Sequence, residues 1–416
     1  MTTTSTPSPR IAQRIIQEVS SHGTPPEEGL QYFSVGLDPY LKVLDDEYLQ
    51  QYIKDGGATF KLVVGIYGGG KTHFLYSLRD RARAQKYAVA YVSLKSSGES
   101  PFYALDLVYK AIATRLLPPT SGDDSEQPPE PGIRTFLKAW HGQRLSECQA
   151  QGMSTDRARE RIYDDINQIE IPSLSFRNAI RRALQALHNN QQEIFDLICQ
   201  WLLGEGFDQR ALKPYGILQK IDRTTAFQMI RAIGRMVREL GYKGLVVLLD
   251  EAERMSSLST KNREQHLSNL REVIDECGQS SFEGILFAYA VPDQNFLEGR
   301  TQVYEALRQR LSTVFTEINP TGVKIMLEQT VSDPVDFLCK LGHKLTDVYQ
   351  IAKKDCTLDP QQVDETVRLI AEWAADQRYS DEGYKRLFVK TIVQGLNVLR
   401  SYNRCPTIDE LTKTDQ

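Results

Sequence analysis

Apolar residues recur along this chain with two periods, one of strands and one of helices, and their alternation lays out an architecture. Five runs rich in β-branched and aromatic residues read as strands: Thr59–Val64, Tyr87–Leu94, Leu245–Asp250, Gly284–Val291 and Thr313–Ile318. Helical spacing lies between them. Phe74, Leu75, Leu78 and Ala82 follow the first strand, and Phe102, Leu105, Val108, Ile112 and Leu116 mark a helix over 101–116. Ala226, Phe227, Ile230, Ile233 and Val237 repeat over 224–240, with Gly241 as the stop, and Leu267, Leu270, Val273, Ile274 and Cys277 form a further stripe. Strands that alternate with helices predict an α/β fold with a five-stranded parallel sheet flanked by helices.

Other segments frame this core. Ile11, Ile15, Ile16 and Val19 predict a short amphipathic helix, Tyr32–Gly36 an extended piece, and residues 38–53 a further helix. Residues 118–132 (PPTSGDDSEQPPEPG) read as a loop that opens an inserted helical region, with helices at 133–140, 155–166, 175–186 and 191–203. Helical stripes at 335–345, 362–375 and 384–400 close the chain. The expected organisation is a disordered tail over 1–10, an α/β core from 11–117 and 220–320, a helical insertion over 118–219, a helical lid over 321–403 and a tail over 404–416.

The first strand runs into Gly65-Ile66-Tyr67-Gly68-Gly69-Gly70-Lys71-Thr72, which matches the G-x-x-x-x-G-K-[ST] phosphate loop. Glycines let the backbone turn tightly and aim N–H groups at phosphate oxygens. Lys71 is the residue to neutralise the β and γ phosphates, and the Thr72 hydroxyl is placed for Mg²⁺. The helix that begins there turns its positive end toward the anion. His73 follows the loop directly and reads as packing or support beside the nucleotide.

The third strand, Leu245–Asp250, is apolar until Asp250 and Glu251. A strand buried on both faces is central in a parallel sheet, and its C-terminal end is where such sheets bind ligands. Asp250 is the expected Mg²⁺ holder and Glu251 the general base for attack of water on the γ phosphate. Loop and acid pair together predict an ATPase with ATP and Mg²⁺ as cofactors. The order of these motifs along five strands is that of AAA+ ATPases. Such proteins place a polar sensor at the end of the fourth strand, where Tyr289 or Asp293 stands. An arginine reaching a neighbouring subunit's phosphate precedes the fifth strand, at Arg308 or Arg310, with plain surface charge as the other reading. A second sensor opens the last lid helix, at Arg386.

Composition narrows the classes. Across 416 residues the formal net charge is −4, so no global attraction to nucleic acid or membrane follows, and any such surface is local. Arginines are frequent in the insertion, which leaves a DNA-contact surface as one reading, yet Asp156, Glu160, Asp164 and Asp165 interleave with them, as on a solvated helix face. The six cysteines form no C-x-x-C pair, which fits reduced thiols in a cytoplasm rather than a zinc site or a disulfide frame. No apolar run reaches membrane-spanning length.

The ordering of local phrases resembles the ATP-binding proteins of BREX bacteriophage-defence systems. It is carried by Arg14-Ile15-Ile16, Gly23-Thr24-Pro25, Gly29-Leu30, Val35-Gly36, the loop through Leu75, the run from Gly241 to Glu253, and Asn269-Leu270-Arg271. The length is closer to the BrxD-like branch than to the BrxC-like one. The resemblance implies an origin-recognition-like AAA+ fold, ATPase activity, and a role against phage DNA beside a helicase or another defence protein; self-association is expected through the AAA+ core. Two other roles stay open: a signalling switch that binds ATP with little turnover, and an adaptor that docks a partner.

Overall fold

The computed structural model describes residues 6–94, 102–120, 129–250, 258–279, 281–293, 302–330, 333–354, 356–378 and 383–412. Its centre is a mixed six-stranded sheet built from β1 (Thr59–Val64), β2 (Ala88–Ser93), β3 (Leu116–Leu117), β4 (Leu245–Asp250), β5 (Ile285–Val291) and β6 (Lys324–Met326), in the order β3-β2-β4-β5-β1-β6. Neighbouring strands are parallel except β3, which runs antiparallel to β2. Every residue of β4 and β5 is buried, as their unbroken apolar runs require of strands covered on both faces. The register pairs Val64 with Val291 and Ser93 with Asp250, which brings the loop after β1 and the acid at the end of β4 to one edge of the sheet.

The fifth expected strand is displaced. Over Thr313–Ile318 the chain makes only isolated bridges, Val314 to Lys324 and Thr316 to Asn319, and the strand that joins β1 is β6. Asn319, Pro320 and Gly322 reverse the chain between them, with Asn319 Nδ2 donating to Val314 O at 2.8 Å. Lys61, buried in mid-strand, holds this turn against β1 by donating to Gly322 O at 2.6 Å and Pro320 O at 3.2 Å. The helix expected through Leu116 also ends early, because Leu116 and Leu117 pair with β2.

In chain order the helices are α1 (Pro9–His22), α2 (Asp38–Val43), α3 (Lys71–Ala84), α4 (Leu105–Arg115), α5 (Ile133–Ala150), α6 (Thr155–Gln168), α7 (Leu174–His188), α8 (Gln192–Leu202), α9 (Gln209–Leu212), α10 (Ala226–Glu239), α11 (Thr260–Gly278), α12 (Gln302–Arg310), α13 (Pro334–Ala352), α14 (Pro360–Asp376), α15 (Tyr384–Tyr402) and α16 (Ile408–Thr412). On one face of the sheet lie α3 and the segment 38–53, which changes from α-helix to π-helical turns at Leu44. On the other lie α4, α10 and α11, and the same apolar cluster continues without a break into α5–α8. The inserted helices therefore extend the core: Trp140 of α5 donates to Leu240 O beyond α10 at 2.9 Å.

A separate apolar cluster joins α13, α14 and α15, and α1 belongs to it through Ala12, Ile15, Ile16 and Val19. Leu30 enters the same cluster from a short 3-10 helix over Leu30–Tyr32, and Phe33 from the stretch Tyr32–Gly36, which was expected to be extended and pairs with no described strand. Within the segment expected as a tail, residues 404–412 fold back, with Leu411 of α16 buried and Arg404 donating to both carboxylate oxygens of Glu410. No described helix is long and apolar enough to cross a membrane.

Candidate nucleotide site

The loop between β1 and α3 is built by its glycines. Gly70 adopts φ +99° at the mouth of α3, a left-handed conformation that side chains other than glycine's rarely enter. A Cβ on Gly69 would lie 2.6 Å from Glu328 Oε1 and 2.9 Å from Ile66 O, so this residue allows no side chain. No side chain caps the first turn of α3, which leaves a helix start suited to an anion. Lys71 is buried, and its Nζ donates to Gly65 O at 2.9 Å and Ile66 O at 3.0 Å, inside the turn it is expected to serve.

The second motif meets the first across the sheet edge. Asp250 is buried, and its Oδ2 accepts from Thr72 Oγ1 at 2.7 Å and from Tyr91 OH, on β2, also at 2.7 Å. A hydroxyl and a carboxylate 178 residues apart thus share one position beside the loop. Such a pair fits Mg²⁺, which takes one or two protein oxygens and completes its shell with water and phosphate. Among the described residues no group of three or more His, Cys, Asp or Glu forms a metal cluster, and a cation held this way does not call for one. Tyr91 is a residue that sequence reasoning missed; its hydroxyl, two positions before that of Ser93 on a strand that is apolar elsewhere, is the signal that was there to find.

The C-terminal bundle touches the loop from outside. Gly383, at φ +75°, approaches so closely that a Cβ would stand 2.2 Å from Tyr67 O. Lys385 Nζ donates to Gly69 O at 3.1 Å, and Arg386 donates through Nη1 to Tyr67 OH at 2.5 Å and through Nε to His22 O at 3.0 Å. The Arg386 guanidinium also lies over the Tyr67 ring, 5.3 Å from its centre. His73 sits in the first turn of α3, its Nε2 2.6 Å from Ser34 Oγ and its ring edge-on to Phe33. Burial, with a smaller push from Lys385, lowers its pKa to about 4 and keeps the ring neutral near pH 7.

The remaining expected residues are dispersed. Glu251 lies outside the described residues. Asp293 is exposed two positions beyond β5. Tyr289 is fully buried among Phe60, Phe102 and His266, with its hydroxyl 2.8 Å from His266 Nε2, so its ring belongs to the core beneath α11. Burial lowers the His266 pKa to about 3. Arg310 is committed to Asp275 on α11, and it also donates to Ala306 O at 2.9 Å. Arg308 points outward, with a loose pair to Glu305 at 3.4 Å. In the insertion, Arg134 pairs with Asp196, Arg144 with Glu147 and Asp165, Arg161 with Asp165, and Arg177 and Arg181 with Glu170. These five arginines tie helices to their surroundings, while Arg157, Arg159 and Arg182 of the same region are exposed.

The family described as BREX system ATP-binding protein BrxC/D matches residues 8–415. The chain belongs to that family. Its members are ATP-binding proteins of a phage-defence system, which agrees with the loop geometry and with the sequence resemblance. No curated protein and no solved structure matches the chain.

Proposed function

We propose that the chain is an ATPase of the AAA+ type whose nucleotide cycle drives assembly on, or remodelling of, DNA or a DNA-bound partner during phage defence. The observation that carries this reading is the 2.7 Å contact between Thr72 of the phosphate loop and Asp250 at the end of β4, in a family of ATP-binding proteins. The parallel pairing of β2, β4, β5, β1 and β6 supports the AAA+ assignment, and the bundle of α13–α15 against the loop supports its role as a lid.

In this reading the loop amides and Lys71 bind the β and γ phosphates, and Thr72 and Asp250 hold Mg²⁺. The cation would neutralise charge that develops on the phosphate oxygens. Glu251, the next residue after Asp250, accepts the proton of the attacking water. Arg308, outward-facing and loosely held, is the better placed of the two arginines to act on a neighbouring copy.

The test measures ATP binding and phosphate release by the wild type, Lys71→Ala and Glu251→Gln proteins. Lys71→Ala should lose binding by about tenfold to a hundredfold, since it removes a charge-assisted contact. Glu251→Gln should bind ATP and not turn it over. Normal turnover by Glu251→Gln removes that residue from the chemistry, and equal binding by Lys71→Ala removes the loop.

A further inference from the structure

The loop carries a contact that neither motif accounts for. Ile66 N donates to Glu328 Oε1 at 3.0 Å, and the same carboxylate oxygen lies 2.6 Å from where a Cβ on Gly69 would stand. Glu328 sits in the short 3-10 turn after β6, on the connection that leads from the sheet into α13. On the other flank Lys385, from the first turn of α15, donates to Gly69 O and lies over the ring of Phe337 from α13. An acid from the connection into α13 and a base from α15 therefore straddle a loop whose amides suit an anion. The two also feel each other: burial lowers the Lys385 pKa while Glu328 acts to raise it.

We propose that Glu328 is a built-in competitor for the phosphate loop, a carboxylate that opposes polyphosphate binding and must give way when the γ phosphate enters. This rests on the nucleotide reading above and adds an affinity-setting residue to it. The reasoning is electrostatic. A carboxylate beside the loop repels each added phosphate charge, and a site sheltered from water screens that repulsion weakly. Its displacement would also release Ile66 and pull on the connection to α13, so nucleotide entry and the position of the bundle become linked events.

Glu328→Gln isolates the charge, because the amide oxygen can still accept from Ile66 N and the side chain keeps its shape. The experiment measures dissociation constants for ATP, ADP, AMP and inorganic tripolyphosphate, at low and high salt, for wild type, Glu328→Gln, Glu328→Ala and Lys71→Ala. ATP and tripolyphosphate should bind Glu328→Gln about tenfold tighter than wild type, with a smaller gain for ADP and least for AMP, and the gain should shrink in high salt. Glu328→Ala should show the same order, which covers misfolding of either single variant. Unchanged or weaker binding by both variants, or an equal gain for all ligands, overturns the proposal. A wild type that binds ATP no better than Lys71→Ala overturns the nucleotide reading itself, and a tighter Glu328→Gln beside a functional wild type separates the two.

Discussion

Lys61 allows a sharp test of the turn that carries β6, and hence Glu328, to the loop. The lysine is buried in mid-strand, and its Nζ donates to Tyr48 OH at 2.7 Å, Gly322 O at 2.6 Å and Pro320 O at 3.2 Å. The rings of Tyr48 and Phe315 flank it at 4.2 and 4.7 Å. Burial lowers its pKa from 10.5 to about 7. Tyr48 moves the other way, to about 12, so it stays neutral across the relevant range. At 1.36 kcal/mol per unit, the lysine shift corresponds to about 5 kcal/mol between the two protonation states.

The sign follows from proton counting. Between about pH 7 and pH 10.5 the unfolded chain holds a proton on Lys61 that the folded protein has largely released, so stability rises with pH across that window. Below pH 7 both states are protonated and the contribution is flat. Lys61→Met removes the charge and keeps the apolar stem. Loss of the Gly322 contact adds a constant offset between the two proteins, and loss of the titrating amine removes this slope from the variant. Relative to Lys61→Met, the wild type should gain roughly 1.5 kcal/mol between pH 7 and pH 8.5. Urea unfolding at each pH, followed by the fluorescence of buried Trp140 and Trp201, measures the difference, and other titrating groups cancel in it. A difference that stays constant, or falls as pH rises, refutes the buried neutral lysine.

Two further outcomes follow from contacts near the site. Arg310→Ala should lower stability by on the order of 1 kcal/mol, because it breaks a half-exposed pair that joins α12 to α11, whereas Arg308→Ala should leave melting unchanged. Turnover that rises with protein concentration in the wild type and not in Arg308→Ala would tie Arg308 to a neighbouring copy; identical curves would free it of that role. Tyr91→Phe removes one hydrogen bond at Asp250 and should raise the Mg²⁺ concentration needed for ATP binding by about tenfold. An unmoved Mg²⁺ midpoint would reduce Tyr91 to packing.

What could be read from the sequence depended on how local its signal is. The loop and the acid of β4 each announce themselves within a few residues, the one by glycine spacing and the other by a carboxylate that ends an apolar run. Their meeting could be expected although 178 residues separate them. The fifth strand had no such signature. Val314 and Phe315 look like strand residues, and Phe315 is indeed buried, but they pack from the approach to a turn while only Ile325 of β6 points fully inward. A buried lysine on β1 made that arrangement, and an isolated lysine in an apolar run carries no mark of its partner. The same holds for the grip on the loop. Glu328 reaches Ile66 across 262 positions and Lys385 reaches Gly69 across 316, and each sits in a stretch where a charged residue looks like solvated surface. Helix α1 repeats the lesson: its apolar face is obvious, yet nothing in its period says that it packs on α13 and α15 rather than on the sheet that follows it. The two motifs and their meeting were therefore legible, whereas the charges set against the loop by Glu328 and Lys385 became visible only when the chain was folded, which is why the carboxylate beside Ile66 is the part of this site that the binding measurements address first.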